Sequence, residues 1–577
     1  MGMNAASFRE ELRQRLCRHA DRVLLRIVLS PAAPPVALTG RELLERSEAL
    51  AALHVPSSPG GAVLLLLPHS VELFLLHLGL VLRGALPAIL AWPTSRVDPE
   101  KYQNNLIHQL RTLPADQLLT LPSLAGNLAD RLPYRVTACS VSGAAAFEKL
   151  FAAHLVGGGG AESPARALPR APEGALFLQF SGGTTGAQKA VVVTASMLAA
   201  QLEPLGRLLA IADGDGVVSW LPMYHDMGLI ACLWLPLWRG IPSLHVSASD
   251  WILRPELLFK YLEEFQGTLC WMPNFAFAYL VQQRSRLSRG YALGRVRAFI
   301  NCSEPVRARS MKGFVEAFSA WGVTEAAMQT SYAMAENVFA VTQSRLGSPP
   351  ASAPRRIPAG ATPYADLAYA ILDESLVSSG QPLPGMEVRI AHGALGACPG
   401  SEPGEIQIRT PCLFAGYWGH DGFTLGAPPP DGWYATGDHG FVVDGDLFVI
   451  GRSKDIIIVG GQNIFPEDVE AIVNAVAGVY PGRVVAFGIQ DEEHGTESLA
   501  VVAELKGEFD PAVATRLGRE IHKTVLTMVG IAPRHVAAVP ERWIVKSTAG
   551  KISRRETRAR FLREKFKGTT KADPPPR

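Results

Sequence analysis

Short apolar runs bounded by glycine or proline recur along this chain, and helical patterns separate them. The clearest runs are residues 62–67, 175–180, 217–221, 297–301 and 485–489. A strand that is buried on both faces is apolar at successive positions, so the alternation predicts an α/β fold with at least partly parallel sheets. The chain has 577 residues, whereas a single core stops growing at about 250–300 residues. We therefore expect two or three domains.

Composition and charge limit the function classes. A hydrophobic fraction of 48% and a charged fraction of 19% are typical of a folded globular enzyme. The formal net charge of +2 gives no strong field of the kind that attracts nucleic acid, so we expect no nucleic-acid partner. The seven cysteines form no CxxC pair. This indicates neither a zinc site nor a disulfide framework, and a reducing cytoplasm fits best.

The N-terminus and the most apolar stretch bear on membrane association. Residues 1–20 are charged and contain no apolar core segment, so we expect no secretory signal. Residues 62–92 are the most apolar stretch, but prolines and charged residues interrupt them. A membrane span needs about 20 predominantly apolar residues. We therefore expect no transmembrane segment and a cytoplasmic location.

Three segments outside the apolar runs suggest how the chain is organised. The four glycines at 157–160 predict a flexible connection, and the Ser-, Pro- and Ala-rich residues 343–362 predict a surface insertion. From Gly451 onward the chain has its own strand and helix patterns. We predict a boundary that separates residues 1–452 from a smaller unit, 453–577.

One glycine-rich segment predicts a phosphate-binding loop. It reads Phe180-Ser181-Gly182-Gly183-Thr184-Thr185-Gly186-Ala187-Gln188-Lys189 and follows the apolar run 175–180. Glycines let backbone N–H groups approach a polyanion, hydroxyls add donors, and the lysine adds a cation. The alternative is a flexible Ser/Gly loop without a ligand. The GxxxxGK[ST] pattern of P-loop nucleoside triphosphatases is absent.

This loop resembles the phosphate-binding signature of the adenylate-forming superfamily, which includes acyl-CoA synthetases, peptide-synthetase adenylation domains and fatty acyl-AMP ligases. Further segments match in order from about residue 60 to about residue 560. The resemblance implies a large N-terminal body with two α/β sheet-helix subdomains and a β-barrel-like subdomain. It also implies a small α+β C-terminal cap, with ATP in the cleft between the body and the cap.

The segment Trp-Leu-Pro-Met-Tyr-His-Asp-Met-Gly-Leu at 220–229 is most similar to fatty acyl-AMP ligases. The resemblance places His225 beside the substrate carboxylate, although a hydrogen-bonded structural histidine is an equal alternative. It also implies an acyl pocket, for which ordinary core packing is the default alternative. The candidate pocket residues are Trp220, Met223, Asn274 and Phe275.

Three further segments resemble the superfamily's nucleotide site. They are Asn-Cys-Ser-Glu-Pro at 301–305, Ser-Tyr-Ala-Met-Ala-Glu at 331–336 and Tyr-Ala-Thr-Gly-Asp at 434–438. The resemblance implies that Tyr332 stacks on adenine and that Glu336 holds Mg²⁺, which prefers oxygen ligands. The implied adenine and ribose contacts are Ser303, Glu304, Tyr332, Asp438 and Arg452.

The C-terminal unit resembles the mobile cap of the superfamily. Lys454 occupies the hinge position, and Lys551, in Ala-Gly-Lys-Ile, occupies the position of the catalytic lysine. The implied reaction is attack of a carboxylate oxygen on the α-phosphorus of ATP, which expels pyrophosphate. Two anions must approach each other, so cations at the site would lower the barrier.

Residues 343–384 lie where fatty acyl-AMP ligases carry an insertion that hinders the use of CoA. The resemblance therefore implies a fatty acid substrate and an acyl carrier protein as acceptor, through its phosphopantetheine thiol. Two alternatives stay open: an acyl- or aryl-CoA synthetase, and a catalytically weak adenylate-binding or scaffold protein. The chain departs from the pattern at Gln188, Ala190, Ala195, Ala333 and Gln462, which indicates a specialised enzyme.

Overall fold

A computed structural model provides the fold. It describes residues 3–56, 61–92, 99–129, 131–132, 134–142, 171–181, 189–287, 289–304, 306–353, 375–391, 403–419, 422–425, 431–459, 462–491, 496–546 and 551–565. Within these ranges every helix is too short or too polar to span a lipid bilayer.

A nine-stranded sheet forms one layer of the N-terminal body. Its six central strands, from 328–333 to 23–28 in spatial order, are parallel, and the strands at both edges are antiparallel. In spatial order the strands are Gln381–Pro382, Ala340–Gln343, Met328–Ala333, Ala298–Cys302, Leu269–Met272, Val217–Ser219, Ser243–Val246, Val23–Val28 and Val36–Thr39.

An eight-stranded sheet forms a second layer. In spatial order its strands are Gly422–Leu425, Gly416–Gly419, Ala190–Thr194, Ala175–Phe180, Leu86–Ile89, Ala62–Leu66, Gln117–Thr120 and Arg135–Ala138. Successive residues of one strand alternate between two apolar cores: Val63 and Leu65 lie in the larger core, and Leu64 and Leu66 in the smaller. Burial on both faces explains why this strand is a continuous apolar run.

Helices connect and cover the strands. In the N-terminal body they are Ala5–Arg18, Gly40–Ala52, Val71–Arg83, Pro99–Thr112, Pro122–Ala129, Ala195–Leu208, the π-helix Met227–Trp234, Leu235–Arg239, Ala248–Leu253, Glu256–Glu264, Asn274–Gln283 and Ala308–Phe318. Local residues set their ends. Thr39 and Glu42 form a capping box at the start of Gly40–Ala52, and Val71–Arg83 ends at Gly84, whose φ of 88° suits glycine.

Four smaller sheets follow in the described part of the chain, and in the first of them Ser352–Ala353 pairs antiparallel with Leu376–Val377. Glu387–Ala391, Gly404–Arg409, Tyr434–Val443 and Asp446–Arg452 form a four-stranded antiparallel sheet. The C-terminal region has a three-stranded sheet, two short hairpin strands and three helices. The strands of the sheet are Val479–Asp491, Thr496–Leu505 and His535–Val539, and the hairpin strands are Ile457–Val459 and Gln462–Ile464. The helices are Pro466–Asn474, Pro511–Val529 and Arg554–Lys565. The predicted boundary after residue 452 coincides with the end of a strand, and it stays a prediction.

The structure agrees closely with several strand predictions and corrects one loop prediction. The run 175–180 is a strand with the same bounds, and 485–489 lies inside a longer strand. The predicted surface insertion at 343–362 is wrong at its start, because Gln343 ends a buried strand that pairs with Met328–Ala333. Residues 354–362 and the predicted connection at 157–160 lie outside the described residues.

Candidate active site

The two ends of the predicted phosphate loop are held together. Ser181 follows the strand Ala175–Phe180, and Lys189 precedes the antiparallel strand Ala190–Thr194. The Ser181 N–H donates to the Lys189 carbonyl at 2.9 Å. The Lys189 Nζ lies 4.5 Å from the ring centroid of Tyr417, within cation–π range. Five predicted loop residues lie outside the described residues: Gly182, Gly183, Thr184, Thr185 and Gly186.

Tyr417 also contacts the predicted metal ligand. Its hydroxyl donates to Oε1 of Glu336 at 2.9 Å. The backbone of the same segment holds Glu336 too, since the Phe414 N–H donates to the Glu336 carbonyl at 2.7 Å. Lys189 and Glu336 are therefore brought to one tyrosine. The sequence carries no distinct signal of this role, because an aromatic residue in a strand is usually part of a core.

The predicted nucleoside residues form a second connected group. The Tyr332 hydroxyl donates to Asp438 Oδ2 at 2.6 Å, and Arg452 Nε lies 3.2 Å from Asp438 Oδ1. Burial raises the pKa of Tyr332 well above its ordinary value, and the adjacent Asp438 raises it further. Tyr332 is thus protonated and acts as a hydrogen-bond donor to the carboxylate.

Glu336 from the first group and Asp438 from the second shift the pKa values of the same neighbouring residues. Burial raises the pKa of Tyr434, and the charge of Glu336 raises it further, with a smaller contribution from Asp438. Burial alone would lower the pKa of Arg452, but Asp438, Asp455 and other negative neighbours, Glu336 included, outweigh it and raise the pKa. Glu336 and Asp438 therefore lie in one electrostatic environment, as binding of a single nucleotide would require.

Lys551 approaches from the C-terminal region. Its Nζ donates to the carbonyl of Ser303 at 2.9 Å. Burial would raise the pKa of the Asp226 carboxyl, but His225, Lys551 and a backbone N–H together lower it. His225 Nδ1 lies 2.5 Å from Asp226 Oδ1. The structure thus brings Lys551, His225 and Ser303 together around a buried carboxylate that the sequence prediction did not include.

The candidate acyl-pocket residues have well-defined protein contacts. The rings of Trp220 and Trp251 stack with centroids 3.6 Å apart, and Phe275 meets Trp220 edge-on at 6.1 Å. Met223 is buried in the same core cluster as Trp220. These contacts agree with the core-packing alternative at least as well as with an acyl pocket.

Asn274 and Glu304 hold local structure. Asn274 Oδ1 accepts hydrogen bonds from Asn301 Nδ2 at 3.0 Å and from the Arg307 N–H at 3.1 Å. Glu304 Oε2 accepts from the Phe275 N–H at 2.9 Å, in the first turn of the helix Asn274–Gln283. Both side chains thus fix the turn that carries Ser303, and their predicted ligand contacts stay predictions.

The predicted hinge adjoins a partly buried ion cluster. Burial lowers the pKa of Lys454, and Arg452 lowers it further. The next residue, Asp455, lies 2.7 Å from Arg554 Nη1. Arg554 Nη2 lies 2.9 Å from Oε1 of Glu470. The cluster connects the turn after Lys454 to the helix that starts three residues after Lys551, and Arg554 was not among the predicted site residues.

Comparison with known families decides the identification. Residues 12–418 match the family model described as AMP-binding enzyme. The chain belongs to this family. It is 31% identical over 395 residues to the putative ligase Rv1013 of Mycobacterium tuberculosis, covering 66% of this chain and 70% of that protein. It is 30% identical over 413 residues to the probable long-chain-fatty-acid–AMP ligase FadD30 of the same species, covering 66% and 68%.

A solved structure confirms the fold. A chain from structural studies of fatty acyl-adenylate ligases from E. coli and L. pneumophila superposes with a TM-score of 0.78 and 22% identity, covering 96% of this chain and 98% of that chain. This match confirms the predicted fold class. The family match and the curated relatives confirm the superfamily membership and the adenylate-forming ligase activity. The roles of the individual site residues stay predictions.

Proposed function

We propose that this enzyme uses ATP and Mg²⁺ to convert a fatty acid into its acyl-AMP, releasing pyrophosphate. One observation carries the proposal. Lys189 and Glu336 both contact Tyr417, and Asp438 accepts a hydrogen bond from Tyr332. Lys551 lies beside His225 and Asp226. Groups that are hundreds of positions apart thus form two polar clusters, one with the character to bind an anionic nucleotide and one with the character to bind a carboxylate.

On the acid side, Lys551 would neutralise the approaching carboxylate and the transferred phosphoryl group, and His225 would contact the carboxylate. Their positions beside Ser303 and Asp226 support this assignment. Cationic donors held in place before reaction stabilise charge that spreads in the transition state, and they need no reorganisation. The attacking carboxylate oxygen forms a bond to the α-phosphorus while the bond to the bridging oxygen of pyrophosphate breaks.

On the nucleotide side, Tyr332, Asp438 and Arg452 would hold adenosine, and Lys189 would bind phosphate with the loop that begins at Ser181. The hydrogen bond between Tyr332 and Asp438 and the adjacent Arg452 support one binding surface for the nucleoside. Such positioning contributes to the rate by fixing the reacting atoms in line.

Glu336 fits Mg²⁺ as one oxygen donor. No group of three or more His, Cys, Asp or Glu side chains suited to a metal occurs among the residues described. Mg²⁺ commonly binds through one or two carboxylates together with substrate phosphates, so a single glutamate is sufficient. When bound, the ion would neutralise phosphate charge.

The names of the relatives support a fatty acid as substrate, since FadD30 is described as a long-chain-fatty-acid–AMP ligase. We propose an acyl carrier protein as the acceptor of the acyl group. CoA is the second candidate, because another relative, with 31% identity, is named as a putative fatty-acid–CoA ligase.

Two measurements test the proposal. Pyrophosphate release is measured with acetate, octanoate, palmitate or benzoate as the acid, and in a control reaction without any acid. Release that depends on octanoate or palmitate is expected, and release with benzoate alone would redirect the proposal to an aryl acid. Mass spectrometry then compares products formed with CoA and with a phosphopantetheinylated carrier protein. Exclusive formation of acyl-CoA would reject the carrier as acceptor.

A further inference from the structure

Tyr417 contacts two charged groups that the proposed site needs. Its hydroxyl donates to Glu336 Oε1 at 2.9 Å, and its ring lies 4.5 Å from Lys189 Nζ. We propose that Tyr417 is a positioning residue, which orients the Glu336 carboxylate for a Mg–nucleotide and, through its ring, holds the Lys189 ammonium in position to bind phosphate. This inference rests on the proposed function and assigns a specific part of its nucleotide binding.

The position of Tyr417 is fixed by strand pairing. The strand Gly416–Gly419 runs antiparallel to Ala190–Thr194, with Tyr417 opposite Val191, two residues from Lys189. The next residue, Trp418, is 3% exposed and donates from its indole nitrogen to the Pro114 carbonyl at 2.7 Å. Because strand pairing and the Trp418 hydrogen bond hold this strand in place, the Tyr417 ring has little freedom. The position of the strand therefore determines where the Tyr417 hydroxyl lies.

The backbone and the side chain of Glu336 are held by the same segment. The Phe414 N–H donates to the Glu336 carbonyl at 2.7 Å, and the Phe414 ring lies 4.7 Å from the Tyr417 ring. A carboxylate has two oxygens, so a hydrogen bond to Oε1 leaves Oε2 for a hard cation. Tyr417 thus orients the carboxylate without occupying all of its acceptor capacity.

The acceptor of this hydrogen bond is a carboxylate oxygen. A hydrogen bond to a charged group is stronger than one between neutral groups, so its loss should be measurable in ligand binding.

A structural tyrosine elsewhere offers a matched comparison. The Tyr134 hydroxyl donates to the Leu110 carbonyl at 3.0 Å, and burial raises its pKa. Neither residue belongs to the candidate site. Tyr134→Phe removes the same group as Tyr417→Phe and loses one hydrogen bond, but its acceptor is a neutral carbonyl.

The test measures binding of α,β-methylene-ATP, which cannot be cleaved at the α–β position, as a function of Mg²⁺ concentration. For Tyr417→Phe we expect the Mg²⁺ concentration for half-maximal binding to rise about tenfold, the effect of losing one charge-assisted hydrogen bond. Affinity without Mg²⁺ should change little, because the ring stays over Lys189. Tyr417→Leu should also weaken binding without Mg²⁺ by about threefold to tenfold.

The outcomes separate two failures. If the unmodified enzyme does not bind the nucleotide at any Mg²⁺ concentration, the proposed function is wrong. If the unmodified enzyme binds the nucleotide, and Tyr417→Phe needs the same Mg²⁺ concentration for half-maximal binding as the unmodified enzyme and Tyr134→Phe, only the role of Tyr417 is overturned. Tighter Mg²⁺ binding in Tyr417→Phe would also overturn it, since the hydroxyl would then compete with the ion. Thermal unfolding of each variant identifies any that do not fold, and Tyr417→Trp, which retains an aromatic ring, then replaces such a variant.

Discussion

Lys551 donates a hydrogen bond from Nζ to the carbonyl of Ser303, at 2.9 Å and across 248 positions of sequence. Ser303 has a φ of 70°, in a region that non-glycine residues seldom occupy. It directly follows the strand Ala298–Cys302, and Glu304 and Asn274 stabilise this turn. The contact brings the C-terminal region against the strained turn and sets Lys551 beside Asp226.

Lys551→Ala should abolish acid-dependent pyrophosphate release and leave thiol transfer from supplied acyl-AMP intact, because only the first step joins two anions. Pyrophosphate release and thioester formation are measured separately. Lys523→Ala, which alters an exposed lysine of the helix Pro511–Val529, serves as control. Unchanged pyrophosphate release in Lys551→Ala would contradict the assigned role.

Asp438→Asn should raise the KM for ATP about tenfold to a hundredfold, since Tyr332 and Arg452 lose a charged partner. The KM for the acid should stay within about twofold, because Asp438 lies on the nucleotide side. Steady-state kinetics with each substrate varied provides the measurement. Asp444→Asn, in an exposed turn with a φ of 50° that asparagine tolerates, is the control. An equal rise in both KM values would argue against a nucleotide-specific role.

Gln179→Leu should weaken the turn that carries Glu336. Gln179 Nε2 donates to the Val338 carbonyl at 2.9 Å. Val338 has a φ of 64° and a ψ of −53°, a strained three-residue turn closed by a hydrogen bond from the Phe339 N–H to the Asn337 carbonyl. An unpaired buried carbonyl costs about 1–3 kcal/mol. We expect a lower melting temperature and a severalfold higher KM for Mg–ATP.

Gln201→Leu is the matched control for this variant. Gln201 is also buried, and neither polar atom of its side chain has a hydrogen-bond partner among the described residues. It should keep the KM for Mg–ATP and lose no stability, because no hydrogen bond is broken. If both variants change the KM equally, the link between Gln179 and Glu336 is not specific.

Glu470→Gln should flatten the pH dependence of stability. Burial raises the pKa of Glu470 from 4.5 to about 7, against the opposing charge of Arg554 and with a contribution from Glu467. Asp455 also faces Arg554, and the Ala486 N–H donates to Glu470. Because the folded pKa lies above the unfolded one, the folded chain holds a proton that the unfolded chain releases.

Stability from this group is therefore complete below about pH 4.5 and is lost as the pH rises through about 7. The full loss should be on the order of 3 kcal/mol, most of it between pH 5 and pH 8. Urea unfolding at pH 5 and pH 8 measures it, and the difference should shrink in Glu470→Gln and persist in the exposed variant Glu508→Gln. An undiminished difference in Glu470→Gln would assign the pH dependence to other groups.

Local patterns predicted much of the fold. The strand 175–180 was predicted with its observed bounds, because both faces are buried and every residue is apolar or fully enclosed. The start of the predicted insertion was wrong, since Gln343 and Ser344 are polar but buried, with hydrogen bonds inside the sheet. Polarity alone does not separate a loop from a strand whose polar groups find partners.

For the candidate site, residues in recognisable motifs were found without the structure, and their partners were not. Tyr417 and Arg554 contact several charged site or hinge residues, yet a tyrosine in a strand and an arginine in a basic helix are ordinary in sequence. Their roles come from which side chains they face, and that depends on contacts far apart in the chain.

The sequence by itself determined the order of apolar strands, the glycine-rich loop between two of them and the charged residues available for chemistry, because these depend on local backbone preference and on burial of apolar surface. Only the tertiary structure decided which charges meet. Tyr417 lies near Lys189 through pairing of two strands, and Lys551 reaches Ser303 through packing of the C-terminal region. Such non-local contacts, which lower the pKa of Asp226, and the desolvation that raises the pKa of Glu470 exist only once the chain has folded.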